Sequence, residues 1–247
     1  MYMKQQINTS KKSLPKRIME FVAKFVLIFI GVSLFFVLLY RFVNPPLTPL
    51  MVTRFFQQAF DDKRTLNFQR DYVSIEDISP NLINAVVAAE DGKFMYHNGF
   101  DFDQIKKSYE ENKVGKNGRK RGGSTISMQT AKNAFLPHHR TYIRKAFEAY
   151  FTVLIELVWS KERIMEVYLN IVEFGDGIYG CEAAAQHYFG KSAKRLTVNE
   201  AAQLAVTLPS PLKRNPAKAT PYFRKRTAII AKRMTKVELT PKAKKKK

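Results

Sequence analysis

The chain has 247 residues, 45% of them hydrophobic, which is room for one ordinary domain plus a membrane segment but not for two large domains. Its formal net charge of +21 points to an anionic partner, whether nucleic acid, anionic lipid or a phosphorylated substrate. The single cysteine, Cys181, excludes an intramolecular disulfide and reads as a small buried residue.

Residues 1–20 form a basic tail. From Phe25 to Tyr40 every residue is apolar, aromatic or small, and residues 21–43, with Lys24 snorkelling, give one membrane span. A cleaved signal peptide is the competing reading. The run is long for one, and Arg41-Phe42-Val43-Asn44-Pro45-Pro46 lacks a small-x-small cleavage pattern. Lys4, Lys11, Lys12, Lys16, Arg17 and Lys24 precede the span against one acid, Glu20, and only Arg41 and Arg54 follow closely. The positive-inside rule therefore predicts a cytoplasmic N-terminus and a main domain outside, away from intracellular nucleic acid.

Residues 44–74 read as a linker and membrane-proximal segment opened by Pro45-Pro46 and Pro49, with no clear pattern over 51–78. Ser79-Pro80 signals a helix start, followed by Ile83, Val86, Val87 and Glu90 at helical spacing. Further helices are predicted over 101–112, from a Ser124 cap through 134, over 141–158, from Ser160 through 170, and near 181–189. Residues 113–123 read as a basic, glycine-rich loop and 171–180 as turns. Thr197-Val198-Asn199-Glu200 is a capping box, and a last amphipathic helix spans 221–235. No alternating strands and no repeats are evident, so the expected fold is mainly α, a single domain over 75–235 with a basic tail over 236–247. That tail reads equally as a solubilising end or a weak hold on anionic head groups.

Three places could carry chemistry. Glu90 falls on the apolar face of its helix, where lost solvation raises a carboxylate pKa and suits a general base; a helix-end salt bridge is the plainer alternative. Glu148 sits in an apolar stretch with Arg140 and Arg144 on the same stripe. The stripe reads either as a structural Arg144–Glu148 pair or as an arginine-lined slot for a phosphorylated leaving group with a carboxylate nearby. Gly122-Gly123-Ser124-Thr125 opens a helix whose free amides favour anions, with Gln129 and Lys132 following on one stripe. Two separated carboxylates with clustered cations suggest glycosyl transfer from a phosphate leaving group, although two carboxylates alone suit a glycoside hydrolase equally. No His-Glu-x-x-His, Gly-x-Ser-x-Gly or P-loop pattern is present, and His138 and His139 make no zinc motif.

These residues resemble the peptidoglycan glycosyltransferases of family 51 in five ordered segments. They are Glu90-Asp91-Gly92-Lys93-Phe94 with His97 and Gly99; Gly123-Ser124-Thr125-Ile126 with Gln129, Lys132 and Asn133; Arg144-Lys145-Ala146-Phe147-Glu148; Lys161 to Asn170 leading to Glu173-Phe174-Gly175; and Leu208-Pro209-Ser210-Pro211 with Asn215-Pro216. The chain ends soon after the fifth, so it resembles the monofunctional branch, with no room for a penicillin-binding transpeptidase domain. Met128 stands where the family usually has the first of two adjacent glutamines, and Phe147 where some members carry lysine.

The resemblance implies a lysozyme-like, two-lobed helical fold and a role in peptidoglycan biosynthesis and cell shape. It implies polymerisation of lipid II into β-1,4-linked strands with release of undecaprenyl pyrophosphate, at the bacterial cytoplasmic membrane with the domain on the outer (periplasmic) side. Glu90 and Glu148 are then the catalytic pair. Asp91, Phe94, His97, Ser124, Thr125, Gln129, Lys132, Asn133, Arg140, Arg144 and Lys145 are the substrate-binding set. The expected partners are lipid II, the growing glycan, the membrane and cell-wall synthesis proteins, not nucleic acid. No firmly bound cofactor is expected, and a divalent metal such as Mg2+ or Mn2+ is left open at Glu148. The competing readings are a lysozyme-like hydrolase or lytic transglycosylase, and a non-enzymatic membrane-tethered scaffold.

Overall fold

A computed structural model of the chain describes residues 13–62, 64–113, 122–137 and 141–237. The chain forms two units, Met1–Phe42 and Val43–Lys247. Within the first, a 29-residue helix, α1 (Leu14–Phe42), carries the apolar run and is long and apolar enough to cross a membrane. It starts seven residues before the span drawn from hydropathy alone, because Leu14, Ile18 and Met19 sustain helix among the charges.

The second unit is mainly α, with helices α2 (Pro49–Ala59), α3 (Pro80–Glu90), α4 (Phe102–Lys113), α5 (Ile126–Phe135), α6 (Tyr142–Val158), α7 (Lys161–Ile171), α8 (Cys181–Phe189), α9 (Val198–Thr207) and α10 (Pro221–Met234). Seven of these helices begin at a serine or threonine whose hydroxyl accepts a first-turn amide: Thr48, Ser79, Thr125, Thr141, Ser160, Thr197 and Thr220. Thr197 and Glu200 complete a capping box. The α5 cap is Thr125, one residue later than expected, because its Oγ1 rather than that of Ser124 accepts from Met128 N at 3.2 Å.

The expectation of no strands was incomplete. Residues 171–180 contain β2 (Glu173–Gly175) and β3 (Ile178–Tyr179), and β1 (Gln69–Arg70) joins them in the order β1-β3-β2. β1 runs parallel to β3, while β2 and β3 pair antiparallel. These strands are two or three residues long, too short for alternation to register in the sequence. At the turn Gly177 has φ +73°, and a Cβ there would lie 1.9 Å from the Asn67 carbonyl oxygen.

Previously unassigned, residues 49–59 form α2, which buries Leu50 and Met51 together with the polar Gln58. Arg54 pairs with Glu173 at 3.0 Å, and Gln58 donates to Asp176 at 2.8 Å. Val52, Phe55, Phe56 and Phe60 face outward, with the Phe56 and Phe60 rings stacked. Two guanidiniums hold the segment leading into α2. Arg163 donates to the Val43 carbonyl and to Asn44, and Arg70 to the carbonyls of Pro45 and Pro46.

The core lies between two helix groups, α3 against α9 and α10, and α5 against α6 and α7. Leu82, Val86, Ile126, Ile155, Ile164, Leu169 and Leu204 are fully enclosed. Cys181, first in α8, is wholly buried as expected, and burial pushes its thiol up to about 12.

Candidate active site

α3 ends at Glu90, and Asp91 accepts the next step of the chain by turning out of helix geometry. The Asp91 carboxylate is buried. Its Oδ2 accepts from the Ile126 amide at 3.0 Å, and His97 Nε2 lies 3.0 and 3.1 Å from its two oxygens. A carboxylate at the first amide of α5 answers the positive end of that helix. It joins the end of α3 to the start of α5. Thr125 adds a second tie, donating to the Gly99 carbonyl at 2.6 Å. Phe94 is buried beneath, with the Lys161 ammonium 4.7 Å from its ring centroid.

Asp91, Phe94 and Thr125, expected to touch substrate, therefore face inward and hold the two helix ends together. The reason is local: all three lie at or beside a helix terminus whose free polar groups must be met inside the fold. His97 is nearly enclosed, its Nε2 spent on Asp91 and its Nδ1 without a hydrogen-bond partner among the described residues. Asn133 is buried on α5. Arg140 lies outside the described residues.

Gln129 and Lys132, expected on one stripe of α5, both lie near Glu90 at the end of α3. Gln129 Nε2 donates to Glu90 Oε2 at 2.8 Å. Burial raises the Glu90 pKa, opposed by the Gln129 hydrogen bond and by the charges of Lys132, Arg214 and Arg226. Lys132 is half-buried, and its ammonium makes no hydrogen bond or ion pair among the described residues. Burial lowers its pKa, the Glu148 and Glu90 charges raise it, and the Arg144 and Lys145 charges lower it. One cation thus lies within electrostatic reach of both carboxylates.

On α6, Glu148 is only 2% exposed. Arg144 Nη1 donates to its Oε2 at 2.9 Å, and Lys145 Nζ meets its Oε1 and reaches Ser124 Oγ at 3.3 Å. Beside them opens a hollow of about 350 Å³ lined by Thr141, Tyr142, Arg144 and Lys145. Arg144 therefore pairs with Glu148 and also borders the hollow. The donor set does not suit a protein-held divalent cation. One carboxylate is present, both its oxygens are taken by cations, and no cluster of three or more His, Cys, Asp or Glu exists among the described residues.

Sequence reasoning missed three residues that bear on Glu90. Tyr168 donates to Gln129 Oε1 at 3.3 Å from a fully buried position. Arg214 and Arg226 add positive charge that acts on Glu90, Arg214 being fixed by donating to the Val206 carbonyl at 2.8 Å. Tyr168 and Arg214 lie in or beside the fourth and fifth segments, but periodicity marks Tyr168 only as core. Nothing in the spacing singles out Arg226.

The family model described as Transglycosylase matches residues 58–235. The chain is 53% identical to a biosynthetic peptidoglycan transglycosylase of Caulobacter vibrioides, over 79% of this chain and 82% of that one. A protein of the same name in Bacteroides thetaiotaomicron is 47% identical over 94% and 92% of the two chains. Another in Shewanella oneidensis is 47% identical over 89% and 92%.

Proposed function

Because this chain belongs to the transglycosylase family of peptidoglycan-building enzymes, we propose that it polymerises lipid II into β-1,4-linked glycan strands and releases undecaprenyl pyrophosphate. Glu90 takes the proton from the acceptor's 4-hydroxyl. The freed oxygen attacks the anomeric carbon of the growing chain as the bond to the pyrophosphate breaks, inverting α to β. Lys132, Arg144 and Lys145 receive the negative charge that gathers on the departing pyrophosphate. Glu148 holds Arg144 and Lys145 at that position, and no step is routed through a metal.

One observation carries this reading: the half-buried Lys132 ammonium has no partner among the described residues, yet feels both carboxylates. A desolvated, unmatched cation is costly in the resting protein and is compensated when an anion arrives. A hydrolase with a neutral leaving group has no use for the Lys132, Arg144 and Lys145 cluster. The Glu90 environment supports the base role, since burial raises its pKa above the ordinary carboxylate value and so makes it a stronger proton acceptor.

The anchor reading follows the same logic. With α1 spanning the bacterial cytoplasmic membrane and its basic N-terminus inside, the domain meets a lipid-linked substrate on the outer face.

The test is polymerisation of labelled lipid II by the purified full-length protein, wild type beside Glu90→Gln. Glycan from the wild type alone supports both reaction and base. No glycan from folded wild type, together with muropeptide release from finished peptidoglycan, moves the function to the hydrolase class.

A further inference from the structure

Tyr168 is a large side chain with no solvent exposure, in the middle of α7. A phenol buried this deeply needs a partner for its hydroxyl. Among the described residues that partner is the Gln129 carbonyl oxygen alone, at 3.3 Å. The other end of the same amide donates to Glu90 Oε2 at 2.8 Å. An amide has one accepting and one donating end, so a donor fixed on the first commits the second.

From this geometry we infer that Tyr168 is a positioning residue, which locks the Gln129 amide with its N–H toward Glu90 and so holds that carboxylate ionised and aimed. The inference rests on the reading of Glu90 as the general base. Its logic is one of matching. A rotated amide would set its carbonyl oxygen against an ionised carboxylate, two acceptors face to face, and would favour the protonated acid instead. Burial and the charges of Glu90 and Asp91 raise the phenol's pKa well above the ordinary value, so it keeps the proton that it donates to the amide oxygen. The other charged groups acting on Glu90 are Lys132 on α5, Arg214 after α9 and Arg226 on α10, and none of them touches the amide. α7 thereby reaches the reacting carboxylate through α5, which it packs against.

The experiment follows the Glu90 side-chain carboxyl carbon by 13C NMR in the full-length protein, assigned by its loss in Glu90→Gln. Tyr168→Phe keeps the ring and removes only the hydroxyl. Its Glu90 midpoint is expected to rise by ~0.5–1 pH unit, the scale of one lost hydrogen bond favouring a charged group. Gln129→Ala is expected to raise the midpoint too, and adding Tyr168→Phe to it to move it no further. In polymerisation assays Tyr168→Phe should lower kcat by ~3–10-fold, shift the acid limb upward with the NMR midpoint and leave KM for lipid II unchanged. An unmoved midpoint in folded Tyr168→Phe, or shifts that add in the double variant, overturns the inference. Should Tyr168→Phe fold poorly, the wild type alone decides: a Tyr168 ring resonance blind to the Glu90 titration overturns it, and one that follows supports it. The NMR arms read positioning whether or not glycan forms, and wild-type polymerisation separately decides the enzymatic reading.

Discussion

At Glu90, function and stability pull in opposite directions. Its pKa is raised in the folded protein by burial. As pH rises above the ordinary carboxylate value, the unfolded chain ionises first, so this group's share of stability is present at low pH and lost as pH climbs toward the folded pKa. Glu90→Gln should therefore melt higher at neutral pH, by about 2–4 °C for each kcal/mol recovered, while polymerisation falls by roughly 10²–10⁴-fold. Thermal melts and glycan assays on one preparation check both. The wild-type rate should fall on acidification through a pH above the ordinary carboxylate range, because a protonated base cannot accept the acceptor's proton. Lys132 and Glu148 should separate differently. Lys132→Ala removes a desolvated ammonium with no partner among the described residues, so activity drops by about 10²–10³-fold while the melting temperature holds or rises. Glu148→Gln leaves Arg144 and Lys145 without their shared anion and should lower stability by about 1–3 kcal/mol as well as activity.

Among the elements, α5 governs the site. It carries Gln129 and Lys132, and its start is held by the Asp91 carboxylate on the Ile126 amide and by the Thr125 hydroxyl on the Gly99 carbonyl. Gly99 is itself constrained. Its φ is +87°, and a Cβ there would lie 2.7 Å from Thr152 Cγ2 and 3.1 Å from Glu156 Cγ. Two cap substitutions make the contrast. Thr197→Ala loses the α9 capping box, at a cost of about 1 kcal/mol, with polymerisation unchanged. Thr125→Ala loses a cap and a buried hydrogen bond together, about 2 kcal/mol, and slows polymerisation because the α5 terminus shifts. Urea titration and glycan yield on the two variants check the difference.

Over the whole molecule, long elements were legible and short ones were not. Helices α3, α6, α7, α9 and α10 show their capping residues and apolar spacing openly. Strands β1 to β3 take their identity from partners more than a hundred residues apart in one case, Gln69 with Ile178, which no local pattern encodes. Of the site, Glu90, Gln129, Lys132, Arg144 and Glu148 stood out by helical spacing, whereas Lys145 came only from the resemblance. Tyr168 was not, because a buried phenol and an ordinary core tyrosine share one sequence signature. The inward turn of Asp91 and Thr125 was hidden too, since it depends on how the ends of α3 and α5 meet. α2 shows the same limit, with Phe55 and Phe56 outward and Arg54 inward. Those two phenylalanines give the second unit an exposed apolar patch of its own, and Phe55→Ser with Phe56→Ser should weaken polymerisation on vesicles more than in detergent.

The enclosure of Cys181 has a practical consequence. The chain's one thiol is sealed at the head of α8 and held protonated, so maleimide reagents should leave the folded protein unlabelled. Any cysteine introduced elsewhere then reports alone. In intact cells, an impermeant maleimide should modify a cysteine placed at exposed Leu212 and spare one placed at Leu14. The opposite pattern would reverse the topology inferred from the lysines.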